Sequence, residues 1–302
     1  MTQPDTSSRF FRSGFVAIVG APNAGKSTLL SRMLGQKLAI TSKKPQTTRN
    51  RILGIVHRPD AQVVILDTPG VHRATRALNV RIVDAALATL EEADLILMVV
   101  DAHTPDRQSE QLLLDRLRPR SLPVLLALNK IDRISRPKIL PLIERWSAVF
   151  AFTDVVPVCA KSGQQVDRLL DVVENALPAG PPFFPPDSLT DLPTRFVVAE
   201  MIREKSFRLT GQEIPYALAV TVEAFEEARA GAPVRVQATI HVERESQKGI
   251  VIGRQGAKLK QIGEAARLEI EALLEARGFL KLFVRVQKNW TRDTRALRKF
   301  GY

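Results

Sequence analysis

The sequence lacks the features expected of a disulfide-bonded or membrane-spanning protein. Cys159 is its only cysteine, which excludes an intramolecular disulfide and fits a reducing cytosol. No apolar run reaches the ~18–20 residues that a helix needs to cross a bilayer. The longest run, residues 95–100, has only the length of a strand. We therefore expect a cytoplasmic protein.

Acidic residues are also scarce relative to basic ones. The 302 residues include 44 Lys or Arg against 32 Asp or Glu, which gives a net charge of +12. Such a surplus favours polyanionic partners, although a basic surface that binds no particular partner would give the same net charge. The surplus is strongest over residues 277–299, where Asp293 is the single acid. This distribution favours nucleic acid, or an anionic membrane face, as a partner.

Short apolar runs alternate with amphipathic stretches over residues 14–177, and this alternation predicts an α/β domain. Strands that are apolar throughout and separated by helices indicate a mostly parallel sheet covered on both faces. The runs are residues 15–19, 63–66, 95–100, 124–128 and 155–158, and residues 51–57 alternate as an edge strand would. The polar residues 1–13 are expected to form a flexible N-terminal extension.

A change in composition marks a second domain. Residues 178–190 are rich in proline, which interrupts helices and central strands, so we interpret them as an interdomain linker. Residues 191–302 are then expected to form an α+β domain with a basic tail. Its predicted elements are a helix at 192–205, strands at 215–224 and 234–243, a helix at 263–276 and a strand at 279–286.

A phosphate-binding loop is predicted between the first strand and the helix that follows it. Residues 20–27 match G-x-x-x-x-G-K-[ST] in the strand-to-helix setting that separates this motif from a chance glycine-rich turn. In such loops the backbone N–H groups surround the β-phosphate, the lysine reaches the β- and γ-phosphates, and the hydroxyl binds Mg²⁺. The residues predicted to bind the nucleotide here are Gly20, Ala21, Pro22, Asn23, Ala24, Gly25, Lys26 and Ser27.

The base is expected to be guanine. Asn129, Lys130 and Asp132 form N-K-x-D directly after the strand at 124–128. The Asp132 carboxylate can accept hydrogen bonds from N1–H and the 2-amino group of guanine, whereas adenine offers neither donor. A P-loop ATPase is the alternative, and it would leave a partly buried carboxylate unpaired.

A second polar turn, Asp67-Thr68-Pro69-Gly70, follows the strand at 63–66. Asp67 suits a contact to Mg²⁺ through water, and the Gly70 N–H suits the γ-phosphate. D-T-P-G is a common turn by itself. Its position between the other two motifs is what favours a nucleotide-binding role for all four residues.

Together these motifs resemble the Era-like GTPases, a bacterial ribosome-assembly family in the translation-factor-related branch. The resemblance covers the chain from residue 14 onward and includes K-P-Q-T-T-R at 44–49 and C-A-K at 159–161. It implies hydrolysis of GTP to GDP with Mg²⁺, with residues 46–50 as the first switch. Either Thr47 or Thr48 would close on Mg²⁺ and the γ-phosphate, and the sequence does not choose between them; our metal-site prediction includes Thr48 with Ser27 and Asp67.

The resemblance also implies that backbone N–H groups of Cys159, Ala160 and Lys161 contact the guanine O6. Many members have serine at the position of Cys159, so any hydroxyl contact is weakened here.

The catalytic machinery departs from that of the best-known small GTPases. Val71 stands where they place the glutamine that orients water, and His72 is the nearest substitute. Related GTPases use a residue in the position of Asn23 to help coordinate a K⁺ ion, although Asn23 could simply stabilise the loop. The catalytic residues we expect are Asn23, Lys26, Thr47, Thr48 and Gly70. With no arginine finger visible, we expect slow intrinsic turnover.

An RNA-binding loop is predicted in the second domain. The G-x-x-G sequence at residues 253–256 lies in a basic stretch after a helix and two strands, as in the KH domain of the Era-like family. G-x-x-G is often only a turn, and a domain that does not bind RNA is the alternative. The predicted contacts are Lys248, Gly253, Arg254, Gln255, Gly256, Lys258 and Lys260. Trp290 could stack on a base or belong to the core.

The resemblance implies that the RNA is the 3′ end of 16S rRNA and that the partner is the 30S ribosomal subunit. We expect a monomeric GTPase switch that carries RNA-binding activity. The other hypothesis is an RNA-binding protein in which nucleotide only stabilises the fold. Peripheral membrane contact is also implied, but no amphipathic anchor stands out in the sequence.

Overall fold

A computed structural model describes residues 10–36, 52–68, 89–210, 214, 218–227, 233–293, 296 and 300. The chain divides into two compact units, and the main division falls between Asp191 and Leu192. The predictions for Thr47, Thr48, Pro69, Gly70, Val71 and His72 lie outside the described residues. They therefore stay predictions.

The first unit is built on a six-stranded sheet. The strands are β1 (Arg12–Gly20), β2 (Ile52–Arg58), β3 (Ala61–Asp67), β4 (Leu95–Asp101), β5 (Val124–Asn129) and β6 (Asp154–Pro157). Their order is β2-β3-β1-β4-β5-β6, and β2 alone among them runs antiparallel. The longer helices are α1 (Lys26–Met33), α2 (Arg107–Leu117), α3 (Ile139–Val149) and α4 (Val166–Ala176). The prediction of a mostly parallel sheet with β2 at its edge is confirmed.

Burial explains why these runs form central strands. Every residue of β3, β4 and β5 is buried, because helices cover both faces of a parallel sheet. One core cluster joins β4 and β5 to Leu113 and Leu117 of α2 and to Trp146 of α3. The strands run further than predicted at their carboxyl ends, and the added residues Asp67, Asp101 and Asn129 are polar.

The proline-rich segment 178–190 is held against the first unit by hydrogen bonds. The Gln62 side chain of β3 is buried, and its Oε1 accepts the backbone N–H groups of Phe183 (2.7 Å) and Phe184 (2.9 Å). Its Nε2 donates to the Phe184 carbonyl at 2.8 Å. At the start of β1, Ser13 N–H donates to the Pro178 carbonyl at 3.2 Å. The segment predicted as a linker thus lies on the sheet, and β1 begins inside the predicted N-terminal extension.

The second unit has the α–β–β–α–β order expected from the sequence, with one further helix before the G-x-x-G turn that the sequence did not predict. Its elements are α5 (Thr194–Leu209), β7 (Ala219–Glu226), β8 (Val234–Val242), α6 (Glu245–Ile252), α7 (Ala257–Leu274) and β9 (Gly278–Val286). The sheet order is β7-β8-β9, with β8 antiparallel to β7 and parallel to β9. The helix predicted at 263–276 begins earlier, immediately after the G-x-x-G turn.

Trp290 belongs to the core of the second unit. It is fully buried, and its ring meets that of Phe300 edge-on with 5.1 Å between centroids. Ala219 and Ala296 complete the cluster. A ring enclosed in this way cannot stack on a base, so that alternative is wrong. Of the predicted basic tail, residues 294–295 and 297–299 lie outside the described residues.

Glu110 in α2 gives the first unit a testable pH dependence. Burial leaves this side chain 5% exposed and raises its pKa to about 7, with the negative charges of Asp106 and Asp101 adding to the rise. The folded state therefore binds the proton more tightly than the unfolded state. It follows that the free energy of unfolding falls as the pH rises from about 4.5 to 7.

Glu110→Gln should remove this penalty, since the amide keeps an oxygen to accept the 3.1 Å bond from Asp106 N–H. We expect stabilisation on the order of 2 kcal/mol near pH 8, shrinking towards zero near pH 5, measured by urea unfolding. Glu144 on α3 is exposed, and Glu144→Gln is the control: it should leave the free energy of unfolding unchanged at both pH values. A Glu110→Gln gain that does not depend on pH would contradict the assignment.

Candidate nucleotide-binding site

The candidate site lies at one edge of the six-stranded sheet, where parallel strands end. In the register of the sheet, Ile18 lies beside Asp67 and Asp101 lies beside Asn129. Because the carboxyl ends of parallel strands share an edge, the motifs that follow β1, β3 and β5 meet there. The three predicted motifs, far apart in the sequence, therefore form one site.

The phosphate-binding loop needs glycine at two positions. A Cβ at Gly20 would collide with the Val99 carbonyl of β4, and a Cβ at Gly25 would collide with the Asn129 amide. Gly25 also has φ of 101°, a left-handed conformation, directly before α1. The loop thus passes close to β4 and β5, and its N–H groups lead into the amino end of the helix.

Lys26 is buried inside the loop. Its Nζ donates to the carbonyls of Gly20 and Ala21, at 3.0 Å each. Burial lowers its pKa to about 8, and the negative charge of Asp67 partly opposes this. Phosphate oxygens would favour the charged ammonium in the same way as Asp67 does, so the loop is suited to an anion.

Ser27 and Asp67 supply oxygen ligands of the type that Mg²⁺ prefers. The Ser27 hydroxyl donates to Asp67 Oδ2 at 2.9 Å, and the Asp67 carboxylate is buried. A hydroxyl beside a buried carboxylate is the donor set of a hard divalent cation, and the residues present therefore fit Mg²⁺. The Thr68 hydroxyl donates to the Ile18 carbonyl at 2.7 Å and holds the chain after β3 against β1.

The N-K-x-D residues connect the base-binding loops to the phosphate-binding loop. Asn129 Nδ2 donates to the Ala24 carbonyl at 2.8 Å, and Asn129 Oδ1 accepts Ala160 N–H at 3.0 Å. Lys130 Nζ donates to the Asn23 carbonyl at 2.7 Å. Asn129 and Lys130 therefore fix the distance between the loops.

Asp132 is positioned by a thiol. The Cys159 S–H donates to Asp132 Oδ1 at 3.1 Å, and Cys159 is buried. A thiol is a weaker donor than a hydroxyl, so the carboxylate keeps more of its acceptor capacity. Lys161 is exposed, and its carbonyl accepts a hydrogen bond from Arg32 of α1 at 2.6 Å.

Two residues of the site were missed by the sequence analysis. Asp101 ends β4 and forms an ion pair with Lys130 at 2.5 Å, and Arg32 bonds the carbonyls of Ala160 and Lys161. The polar end of an otherwise apolar strand was the available signal for Asp101. No signal in the sequence pointed to Arg32.

The predicted RNA-binding residues lie in the turn between α6 and α7 and in the helix turns on either side of it. Gly253 and Gly256 have φ of 71° and 80°, and a Cβ at Gly253 would lie 2.6 Å from the Cβ of Lys258. Between the glycines, Arg254 and Gln255 are exposed. The amino end of α7 and the cations Lys248, Lys258 and Lys260 lie in the same segment. The two glycines therefore leave the backbone open to close approach, and the exposed Arg254 adds positive charge, as binding of a phosphate backbone requires.

Membrane-spanning helices are absent from the described part of the chain, where no helix is both long and apolar enough.

Comparisons with known proteins agree with this arrangement. A family profile described as "50S ribosome-binding GTPase" matches residues 15–130, and one described as "KH domain" matches residues 213–291. GTPase Era of Geotalea uraniireducens is 56% identical over 292 residues, 97% of this chain and 98% of that protein.

Two solved structures are also similar. An Era variant of Aquifex aeolicus bound to GDP·AlF4⁻ is 39% identical, with a TM-score of 0.91 over 97% of this chain and 99% of that one. Era in complex with MgGDPNP and nucleotides 1506–1542 of 16S ribosomal RNA is 40% identical, with the same TM-score and coverage.

Proposed function

Because the chain belongs to the Era family of GTPases, we propose that it hydrolyses GTP to GDP and phosphate and couples the nucleotide state to RNA binding. The observation that carries this proposal is the 2.8 Å bond from Asn129 Nδ2 to the Ala24 carbonyl. It joins the guanine-specific motif to the phosphate-binding loop, so that one ligand with a guanine base and a phosphate chain fits both.

The residues of the site divide the work of binding and hydrolysis. Lys26 and the loop N–H groups neutralise and orient the phosphates, and Asp132 selects guanine. Ser27 and Asp67 would hold Mg²⁺, which offsets charge on the phosphates when bound. Thr47 or Thr48 would complete the metal site, and the Gly70 N–H would bind the γ-phosphate. The amide of Cys159, Ala160 or Lys161 would donate to the guanine O6.

Hydrolysis by the isolated protein should be slow and should depend on K⁺. Val71 cannot orient water, whereas Asn23 is exposed at the edge of the phosphate-binding loop with φ of 65°. A K⁺ ion held there would supply positive charge beside the phosphates. We expect single-turnover hydrolysis to be on the order of tenfold faster in K⁺ than in Na⁺. Asn23→Ala should abolish the difference. Equal rates of hydrolysis in K⁺ and Na⁺ for the unaltered protein would contradict the K⁺ proposal.

We further propose that the KH domain binds the 3′ end of 16S rRNA and that the protein acts in 30S subunit assembly. The similar Era structure contains nucleotides 1506–1542 of that RNA, and the exposed, basic G-x-x-G turn of this chain suits a phosphate backbone. The protein would work in the cytoplasm as a monomer. Its basic surplus also fits peripheral contact with the inner face of the cell membrane.

The switch can be tested by measuring RNA affinity in two nucleotide states. Fluorescence anisotropy of a labelled RNA with the sequence of nucleotides 1506–1542 would be recorded with Mg²⁺ and either a non-hydrolysable GTP analogue or GDP. We expect the two affinities to differ by about 5- to 150-fold, the usual range for coupled sites. An ATP analogue should have no effect. Equal affinities in both states would instead favour an RNA-binding protein in which nucleotide only stabilises the fold.

A further inference from the structure

One face of the second unit's sheet carries a pattern that the nucleotide site and the G-x-x-G turn leave unused. Along β9, alternate residues from Gly278 are half-buried and those from Phe279 are exposed. Leu282 faces α7, since its Cδ1 would lie 3.6 Å from a Cβ at Gly263. The exposed set therefore points away from α7. We call this surface the β9 face, and it comprises Arg235, Gln237, Phe279, Lys281, Phe283 and Arg285.

The β9 face combines exposed aromatic rings with cations. Phe279 is 59% and Phe283 is 44% exposed, although burying such rings would stabilise the fold. They alternate along the strand with Lys281 and Arg285, and the Lys281 Nζ lies 5.2 Å from the centroid of the Phe283 ring. Phenylalanine, lysine and arginine thus alternate in one exposed row.

The neighbouring strand extends this chemistry at one end of the face, whereas Thr239 and His241, which lie beside Phe283 and Arg285, are buried. In the register of the sheet, Arg235 of β8 lies beside Phe279, and Gln237 lies beside Lys281. Both side chains are exposed. β9 contains no acidic residue, and the exposed Glu226 of β7 lies beside Arg235 at the margin of the face. The surface therefore offers two stacking platforms, three cations and one amide, with one carboxylate at its margin.

We propose that the β9 face is a second RNA-binding surface, on which unpaired bases stack against Phe279 and Phe283 while phosphates contact Lys281, Arg285 and Arg235. Sheet faces that carry exposed aromatic and basic side chains bind single-stranded RNA in this way, because every base has a stacking face. The two rings are about 13 Å apart along the strand, so they would hold different bases, with Lys281 between them.

The charge of the β9 face favours RNA over a second copy of this chain or an apolar protein partner. A second copy of the chain would place cations against cations. An apolar protein partner would have to desolvate Lys281 and Arg285 without compensation. A polyanion with planar rings satisfies both the charge and the aromatic groups. Because α7 packs on the opposite face of the sheet, the β9 face and the residues of that helix lie on different sides of the domain.

The proposal rests on RNA binding by the KH domain but adds a separate surface, and two RNA lengths can distinguish them. The probes are fluorescein-labelled RNAs of about 6 and about 37 nucleotides, both ending in the 3′ sequence of 16S rRNA. Phe279→Ala with Phe283→Ala should weaken binding of the long RNA at least about tenfold and leave the short RNA unaffected. Phe279→Tyr with Phe283→Tyr should restore binding, since tyrosine also stacks.

Matched controls separate the surface from general effects. Leu268→Ala removes an equally exposed apolar side chain, 61% exposed on α7, and should change neither affinity. Lys281→Glu should weaken binding of the long RNA more than Arg118→Glu does, although Arg118→Glu makes the same charge change on the first unit. Photocrosslinking of the long RNA with 4-thiouridine should recover the peptide that contains Phe279 and Phe283.

Each outcome decides between the proposals. Unchanged binding of the long RNA by the double alanine variant overturns the β9 face and leaves the G-x-x-G proposal standing. Equal losses for both RNAs, or no crosslink in the β9 peptide, also overturn it. If neither RNA binds the unaltered protein, the proposed RNA-binding function itself is overturned. A change in dimerisation or in binding to anionic vesicles, without a change in RNA affinity, would assign the β9 face to those partners instead.

Discussion

Replacing Asp132 with asparagine should convert the protein from a GTP-binding to a xanthosine-triphosphate-binding protein. The carboxylate accepts hydrogen bonds from N1–H and the 2-amino group of guanine, and an amide would present a donor in place of one acceptor. Xanthine carries an oxygen where guanine carries the amino group, so the amide pairs with it. We expect GTP affinity to fall by about 10³- to 10⁵-fold, the usual result of leaving paired polar groups unmatched.

The measurement is a competition of GTP, ATP and xanthosine triphosphate against a fluorescent nucleotide. Cys159→Ser is the matched control. In the unaltered protein the Cys159 thiol donates to Asp132 at 3.1 Å, and the substitution changes this donor without changing the carboxylate that accepts. It should keep the preference for guanine. Unaltered GTP preference in Asp132→Asn would show that the base is recognised elsewhere.

The second large effect is expected at the G-x-x-G turn. Replacing Arg254 and Gln255 by Asp should weaken RNA binding at least about 100-fold, because two negative charges would face the phosphate backbone. Gln255 has φ of 51°, which aspartate tolerates better than most residues, so the turn should keep its shape. GTP affinity and the thermal unfolding midpoint should stay as in the unaltered protein.

The control for this double variant is Arg118→Asp with Gln108→Asp, which makes the same change in net charge at exposed positions of the first unit. It should leave RNA affinity within a few-fold. The slope of the logarithm of affinity against that of salt concentration should also become shallower in the turn variant. Joint loss of RNA and GTP binding would mean that the turn is a structural element.

Sequence patterns predicted the fold well where burial decides the conformation. The apolar runs of β3, β4 and β5 became fully buried strands, and the P-loop and N-K-x-D motifs met at one edge of the sheet because parallel strands impose that geometry. Asp101 and Arg32 escaped prediction because their partners are backbone carbonyls or a lysine distant in sequence. Such contacts depend on loop paths that no local pattern specifies.

The ends of elements were harder to predict. Helix α7 begins at Ala257, before its apolar periodicity becomes clear, because the left-handed Gly256 supplies its start. Trp290 was open between a core and an RNA-stacking role, since a single large aromatic residue fits either. Tertiary contacts with Phe300 and Ala219 decided the question.

The docking of the proline-rich segment onto β3 has a consequence for synthesis of the chain. Gln62 is translated early, but its partners Phe183 and Phe184 are translated after the last helix of the sheet. Until they emerge from the ribosomal tunnel, the amide of Gln62 lacks its hydrogen bonds to Phe183 and Phe184, and each buried polar group left without a partner costs about 1–3 kcal/mol. The first unit should therefore reach full stability during translation only when the prolines have followed it out. A gene fragment stopped at residue 177 would encode an incomplete folding unit.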